Sequence, residues 1–311
     1  MGKILAICIS EKKGTQKKPV DAAVLKKDWG IEGDAHAGNW HRQVSLLSFE
    51  KIEEFRAKGA EVDFGDFGEN LVVEGFDLRK IPVGSRFQIG EAVLELTQIG
   101  KECHSHCAIY HAVGDCIMPR EGVFTKVMKG GAIRTGDEIH LLPLSDSRPF
   151  TAAVITLSDK GSKGEREDKS GPAAKEMLEA AGYCVVESLL LPDGRQPLSD
   201  ELCRLADQRQ VDVVFTTGGT GFSERDLTPE ATIDVCDRMA NGIADAIRQY
   251  SLKITGRAML SRAASGIRKK TLIVNLPGSP KAVKESLEYV LPQLDHGLGI
   301  LRGTAGECGN S

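Results

Sequence analysis

Two hydrophobic patterns divide the chain. Up to residue 143 the apolar positions fall in short, β-rich or alternating runs. These are Ile4–Ile9, Gln43–Ser48, Asn70–Glu74, Arg86–Ile89, Ala92–Ile99 and Glu138–Leu142, with glycines between them. Only Glu50–Lys58 has helical periodicity there. Many short strands with frequent turns predict a barrel or sandwich. From Phe150 onward, continuous apolar runs at Ala152–Leu157, Cys184–Leu191, Val211–Thr217 and Leu272–Leu276 alternate with amphipathic stretches. The stretches at Pro172–Ala181, Ser199–Arg209, Pro229–Asp237, Gly242–Gln249 and Lys281–Leu294 read as helices. Such alternation predicts a doubly wound α/β domain, its mostly parallel sheet covered on both faces. The expected organisation is a mostly-β domain over 1–143, a polar linker over 144–149, an α/β domain over 150–303 and a tail over 304–311.

Composition narrows the function. The 311 residues carry a net charge of −4 and 27% charged residues, ordinary for a globular protein. The residues before Ser147 hold 19 basic and 22 acidic side chains, and those from Ser147 onward 21 and 22. Neither half is basic, which argues against a nucleic-acid partner. No stretch approaches the roughly 20 apolar residues of a membrane span. Eight cysteines without a secretory signal point to thiols or ligands in a reducing cytoplasm.

In the second half the predicted strands end in Ser158-Asp159, Pro192-Asp193-Gly194, Gly218-Gly219-Thr220-Gly221 and Pro277-Gly278-Ser279-Pro280. If the sheet is parallel, these four loops share the edge where α/β folds bind ligands. Glycine turns let backbone N–H groups surround an anion. A helix start at Thr228-Pro229-Glu230, with threonine as the N-cap, follows the third loop. Asp159, Asp193 and Asp226 would converge beside this anion site, an arrangement that calls for Mg²⁺ between carboxylates and phosphates. Arg225 is a candidate source of positive charge, or a structural partner of a neighbouring carboxylate. A tight strand–helix turn with no ligand is the plain alternative, and the chain has no Walker A string.

Lys101–Cys116, KECHSHCAIYHAVGDC, packs three cysteines and three histidines into one segment of the first half. All are soft or borderline metal ligands. A structural zinc site, buried thiols, or a reactive thiolate all suit this composition. Cys103, just after the strand ending QIGKE, is the first candidate thiolate and Cys116 the second. His36, inside Gly33-Asp34-Ala35-His36-Ala37-Gly38, is either a turn histidine or a cofactor contact.

GGTG-x-x-x-RD-x-TPEA from Gly218 to Ala231 closely resembles the molybdopterin adenylyltransferase (Mog/MoaB) family, which includes the amino-terminal domain of gephyrin. Leu157-Ser158-Asp159, Asp168-x-Ser170-Gly171, Leu260-Ser261-Arg262 and LPGSP-x-AV at Leu276–Val283 extend the resemblance over about 152–303. The first half, through its GDAHAG, GEN and cysteine-rich strings, resembles the MOSC domain (molybdenum cofactor sulfurase C-terminal domain), a β-barrel. The resemblance implies molybdenum cofactor biosynthesis, in which molybdopterin and ATP give adenylylated molybdopterin and pyrophosphate with Mg²⁺. Asp193 and Asp226 would be catalytic and hold the metal. Asp159, Gly218, Gly219, Thr220, Gly221, Pro277, Gly278 and Ser279 would bind nucleotide and pterin phosphate. The MOSC half would bind the cofactor or handle its sulfur or metal through Cys103, Cys116 or His36. A homo-oligomer, a trimer by resemblance, and a molybdenum insertase or molybdoenzyme as partner are further implications. A non-catalytic protein that holds and delivers the cofactor is the alternative reading, and a zinc-stapled scaffold another.

Overall fold

The structure, a computed structural model, describes residues 1–101, 116–145 and 147–304. Cys103 and most of the cysteine–histidine segment lie outside the described residues. The chain divides into two compact units at Ser145/Asp146.

The first unit contains strands β1 (Gly2–Ile9), β2 (Lys18–Val20), β3 (Ala22–Lys26), β4 (Gly30–Ile31), β5 (Val44–Ser48) and β6 (Leu71–Glu74). Strands β7 (Arg86–Ile89), β8 (Ala92–Ile99), β9 (Val123–Lys129), β10 (Gly131–Arg134) and β11 (Glu138–Leu142) follow. Seven of them form a ring in the order β11-β7-β8-β9-β5-β6-β1, closed by pairing of β1 with β11. Closure removes free sheet edges. All pairings in the ring are antiparallel except β5 with β6. Strand β8 shows the period of two that places alternate side chains inside, burying Ala92, Leu94 and Leu96. Ile4, Ile7, Leu46, Phe87 and Val127 fill the interior with them. A second cluster, including Ile52, Phe55, Phe67 and Met118, lies under the helix Phe49–Arg56.

Strand β9 is absent from the sequence reading, as are the short β2, β3, β4 and β10. The reason for β9 is a polar residue at a core position: Thr125 is fully buried because its hydroxyl donates to the Val44 carbonyl. That bond removes the cost of burial and also hides the apolar pattern.

In the second unit, β12 (Thr151–Leu157), β13 (Cys184–Leu191), β14 (Val213–Thr217), β15 (Arg238–Met239), β16 (Ser265–Arg268) and β17 (Thr271–Leu276) form one sheet. Its order is β13-β12-β14-β17-β16-β15. The first four strands are mutually parallel, and β16 and β15 add an antiparallel edge. Alternate residues of β12 enter opposite cores. Ala152 and Val154 pack with Leu178, Leu287 and Leu294, whereas Ala153 and Ile155 pack with Leu198, Leu202 and Val235. Both faces are therefore covered, as the apolar strand runs predicted.

Helix boundaries differ where caps intervene. The first helix begins at Ser170, two residues early, because Asp168 Oδ1 accepts the Ser170 and Gly171 N–H groups. The next spans Arg195–Asp207, so Ser199, the expected start, lies within it. The last helix runs through Pro292 to Arg302 and stops at Gly303, whose φ of 86° is left-handed.

Candidate functional site

The parallel strands bring the four predicted loops to one edge. A cleft of about 810 Å³ opens there, lined by Thr156, Asp168, Asp193, Gly218, Asp226 and Ser279, among others. Of the residues singled out in sequence, Asp193, Asp226, Gly218, Gly219, Gly278 and Ser279 line it. Thr220, Gly221, Pro277 and Asp159, also singled out in sequence, are not among its lining residues.

Gly218 and Gly219 have φ of 99° and 64°, in the region that disfavours side chains. A Cβ on Gly219 would sit 2.3 Å from the Thr228 hydroxyl, and one on Gly218 2.5 Å from the Leu157 carbonyl. Only glycines permit this close approach of turn, strand and helix. Thr228 donates its hydroxyl to the Gly218 carbonyl at 3.0 Å. It is the first residue of the helix Thr228–Val235 and ties the turn down from inside, which corrects its predicted role as N-cap. Thr217 donates to the Pro277 carbonyl at 2.7 Å, and Ser170 to the Gly278 carbonyl at 2.8 Å. The Ser279 hydroxyl accepts from Ala282 N–H and caps the last helix. The glycine turns are thus fixed to one another before any ligand arrives.

The carboxylates have divided tasks. Asp159 and Asp193 bond each other's backbone: Asp159 N–H donates to Asp193 Oδ2 at 3.0 Å, and Asp193 N–H to Asp159 Oδ1 at 3.1 Å. Asp159 Oδ2 is ion-paired with Arg225. Arg225 therefore neutralises Asp159, and Arg166 and Lys169 are the cations that line the cleft. Asp226 Oδ2 accepts from Ser223 N–H at 2.9 Å. Asp193 and Asp226 each keep a second carboxylate oxygen with no bond to the chain among the described residues.

Three further residues escaped the site reading of the sequence. Asp168 lines the cleft while capping the helix behind it. Its string had been legible only as part of a motif, not as chemistry. Thr156 is buried, and its hydroxyl has no protein partner among the described residues. Arg262 is the clamp of the whole turn. Its Nε donates to the Gly221 carbonyl at 2.7 Å, and its Nη atoms bond the Asp226 carbonyl and the Glu230 carboxylate. Thr220 accepts the Arg262 N–H at 3.0 Å. An arginine 36 residues from Asp226 gives no local signal of this contact.

Deeper support comes from Asn275. Fully buried, it donates to the Thr216 and Thr232 hydroxyls at 2.9 and 2.8 Å and accepts from Ala264 N–H at 3.1 Å. A satisfied network of this kind locks β14, β17 and the following helix into one arrangement.

In the first unit, His36 belongs to a polar cluster around Asp34. Asp34 is buried and accepts N–H bonds from Ser10 and His36, both at 3.0 Å, and one from Lys17 Nζ. Burial alone would raise its pKa, but the Lys17 ammonium and the backbone N–H donors prevail and hold it well below the usual carboxylate range. Glu69 is fully buried; burial pushes its carboxyl up to about 7, against the Gly65 N–H that stabilises the anion. Its second oxygen has no partner among the described residues. Cys116 is buried at the start of the helical turn Met118–Glu121. Cys8 is fully buried too, and burial pushes its thiol up to about 12, so it supplies no thiolate at neutral pH.

Comparison with known proteins follows this division. Residues 153–296 match the family model described as "Probable molybdopterin binding domain", and residues 33–140 match the MOSC domain model. A molybdopterin adenylyltransferase of Helicobacter pylori is 42% identical over 152 residues, covering 48% of this chain and 86% of that protein. The molybdopterin adenylyltransferase of Escherichia coli K12 is 43% identical over 139 residues, covering 44% of this chain and 71% of that one. The crystal structure of the molybdopterin biosynthesis enzyme MoaB from Thermus thermophilus is 44% identical and covers 50% of this chain and 97% of its own, with a TM-score of 0.48. A cleft built from the family's strings, in a unit that aligns over most of these relatives' length, leads to one assignment. The chain belongs to the molybdopterin adenylyltransferase family through its second unit and carries a MOSC domain in its first.

Proposed function

We propose that the second unit is a molybdopterin adenylyltransferase acting in molybdenum cofactor biosynthesis. A terminal phosphate oxygen of molybdopterin attacks the α-phosphorus of ATP; the bond to the β-phosphate breaks, and pyrophosphate leaves. The supporting observation is the cleft itself, where two glycine turns, two cations and the carboxylates of Asp193 and Asp226 face one space. Two anionic substrates meet in this reaction, so rate comes from positioning and from stabilising phosphate charge. Backbone N–H groups of Gly218, Gly219, Gly278 and Ser279 hold phosphates, and Arg166 and Lys169 offset their charge.

The donor set suits Mg²⁺. Among the described residues no three acidic, histidine or cysteine side chains form a ready-made cage. Asp193 and Asp226 each present one unengaged oxygen, which matches an ion bound by one or two carboxylates plus phosphate oxygens. Bound there, Mg²⁺ would neutralise charge on the reacting phosphates. The reciprocal Asp159–Asp193 bonds keep Asp193 oriented whether or not substrate is present.

The MOSC unit then binds the cofactor or handles its sulfur or metal, with His36 and Cys116 as its described candidates and Cys103 beyond them. Cytoplasmic location, a homo-oligomeric state and delivery to an insertase or molybdoenzyme complete the proposal. Pyrophosphate release by the purified chain tests the catalytic part. Release that requires ATP and molybdopterin together supports an enzyme. Tight molybdopterin binding without release would instead identify a carrier.

A further inference from the structure

The polar cluster of the MOSC unit contains a lysine that the proposed chemistry does not use. Lys17 is 3% exposed, and its ammonium faces two groups at once, the Asp34 carboxylate and His36 Nδ1 at 3.2 Å. An ammonium donates and cannot accept. Its contact with anionic Asp34 keeps it an ammonium despite burial, which lowers its pKa. His36 Nδ1 must therefore accept, and in the neutral ring the proton resides on Nε2. The competing arrangement, Nδ1–H donating to Asp34 Oδ1, has a separation of 3.6 Å and is no hydrogen bond.

Nε2 has no protein partner among the described residues, and the His36 side chain is 32% exposed. The Asp34 carboxylate beside the ring is already paired with Lys17, and Trp40 lies close along the chain. Trp40 Nε1 donates to the His36 carbonyl at 2.9 Å, and the Trp40 ring lies 4.8 Å from the Arg42 guanidinium and 5.9 Å from Lys13 Nζ. A fixed N–H donor, with two cations against the Trp40 ring that bonds the same residue, fits an oxyanion.

We propose that Lys17 is a positioning residue that sets the His36 tautomer, so that His36 Nε2–H binds an anionic oxygen ligand, either a phosphate group or a metal oxyanion. This deepens the cofactor-binding reading of the MOSC unit, yet the tautomer is a property of the chain alone.

The test is long-range ¹H–¹⁵N correlation on full-length protein with labelled histidine, His36 being assigned from a His36→Gln variant. At alkaline pH the wild-type spectrum shows Nε2 protonated and Nδ1 bare. Lys17→Met shifts His36 toward the Nδ1–H form and weakens anion binding about tenfold, the scale of one charge-assisted bond. Inorganic phosphate and molybdate, added separately, show which source moves the His36 resonances. A wild-type His36 protonated on Nδ1 overturns the proposal, and this reading stands even if Lys17→Met does not fold. Failure of both anions to shift His36 overturns the ligand assignment. If the tautomer and an anion response hold but molybdopterin does not bind, only the wider MOSC reading falls.

Discussion

Glu69 is the most exposed weakness of the first unit in energetic terms, although it is hidden from solvent. Its ordinary value of 4.5 rises to about 7 in the fold. Between these two pH values the native state binds the proton more tightly than the unfolded chain, so stability falls as pH rises through this window. Above about 7 the cost is fully present, on the order of 3 kcal/mol. Glu69→Gln keeps an acceptor for Gly65 N–H and removes the titration. Denaturant unfolding of the first unit should lose most of its slope between pH 4.5 and 7, with the variant the more stable protein at pH 8. An unchanged slope would mean that Glu69 is ionised within the native fold throughout. The sequence showed Gly68-Glu69-Asn70 as a turn entering a strand, but it could not show that the carboxyl turns inward. That depends on Gly65, whose N–H reaches Glu69 Oε1 at 2.7 Å.

At the scale of elements, the site rests on a strand–turn–helix unit that sequence reading located with little help. The apolar run of β14, the glycines after it and the proline of the following helix state its geometry directly. What closes the unit is not local. Arg262 reaches back to Gly221, Asp226 and Glu230, and Asn275 reaches Thr216 and Thr232. Such contacts depend on strand order, which a linear pattern does not encode. Of the two roles that sequence leaves open for Arg225, positive charge for the site or structural partner of a carboxylate, the fold pairs it with Asp159. We predict that Arg262→Met leaves the cleft residues in place chemically but misplaces the turn. Turnover should fall about 10- to 100-fold, the effect of roughly an ångström of misalignment. Steady-state kinetics with molybdopterin and ATP would read it; full activity would show that the turn is held without the clamp.

Across the whole molecule, the change from alternating to continuous apolar strands marks where one core stops and another begins. The two cores share no residue: Ile4, Leu46 and Phe87 belong to a closed barrel, and Phe215, Val274 and Leu287 to a layered sheet. Each unit carries enough buried apolar surface to fold alone. Residues 1–145 and 147–311 expressed separately should each unfold in one cooperative transition by calorimetry. A half that folds only when its partner is present would show that stability crosses the boundary. The chain contains no described helix long and apolar enough to cross a membrane. Strand number and ring closure in the barrel were less legible than the α/β half, because polar residues such as Thr125 occupy core positions with their own hydrogen bonds.

The central claim is that the glycine–carboxylate cleft transfers an adenylyl group. Purified chain incubated anaerobically with Mg²⁺, ATP and molybdopterin, followed by mass spectrometry of the pterin, tests it most directly. The wild type should form adenylylated molybdopterin, and Asp226→Asn should lose at least about 100-fold in its rate of formation, as expected when a carboxylate that would hold the charge-neutralising Mg²⁺ is lost. Undiminished product from Asp226→Asn, or bound but unmodified molybdopterin from the wild type, would contradict it.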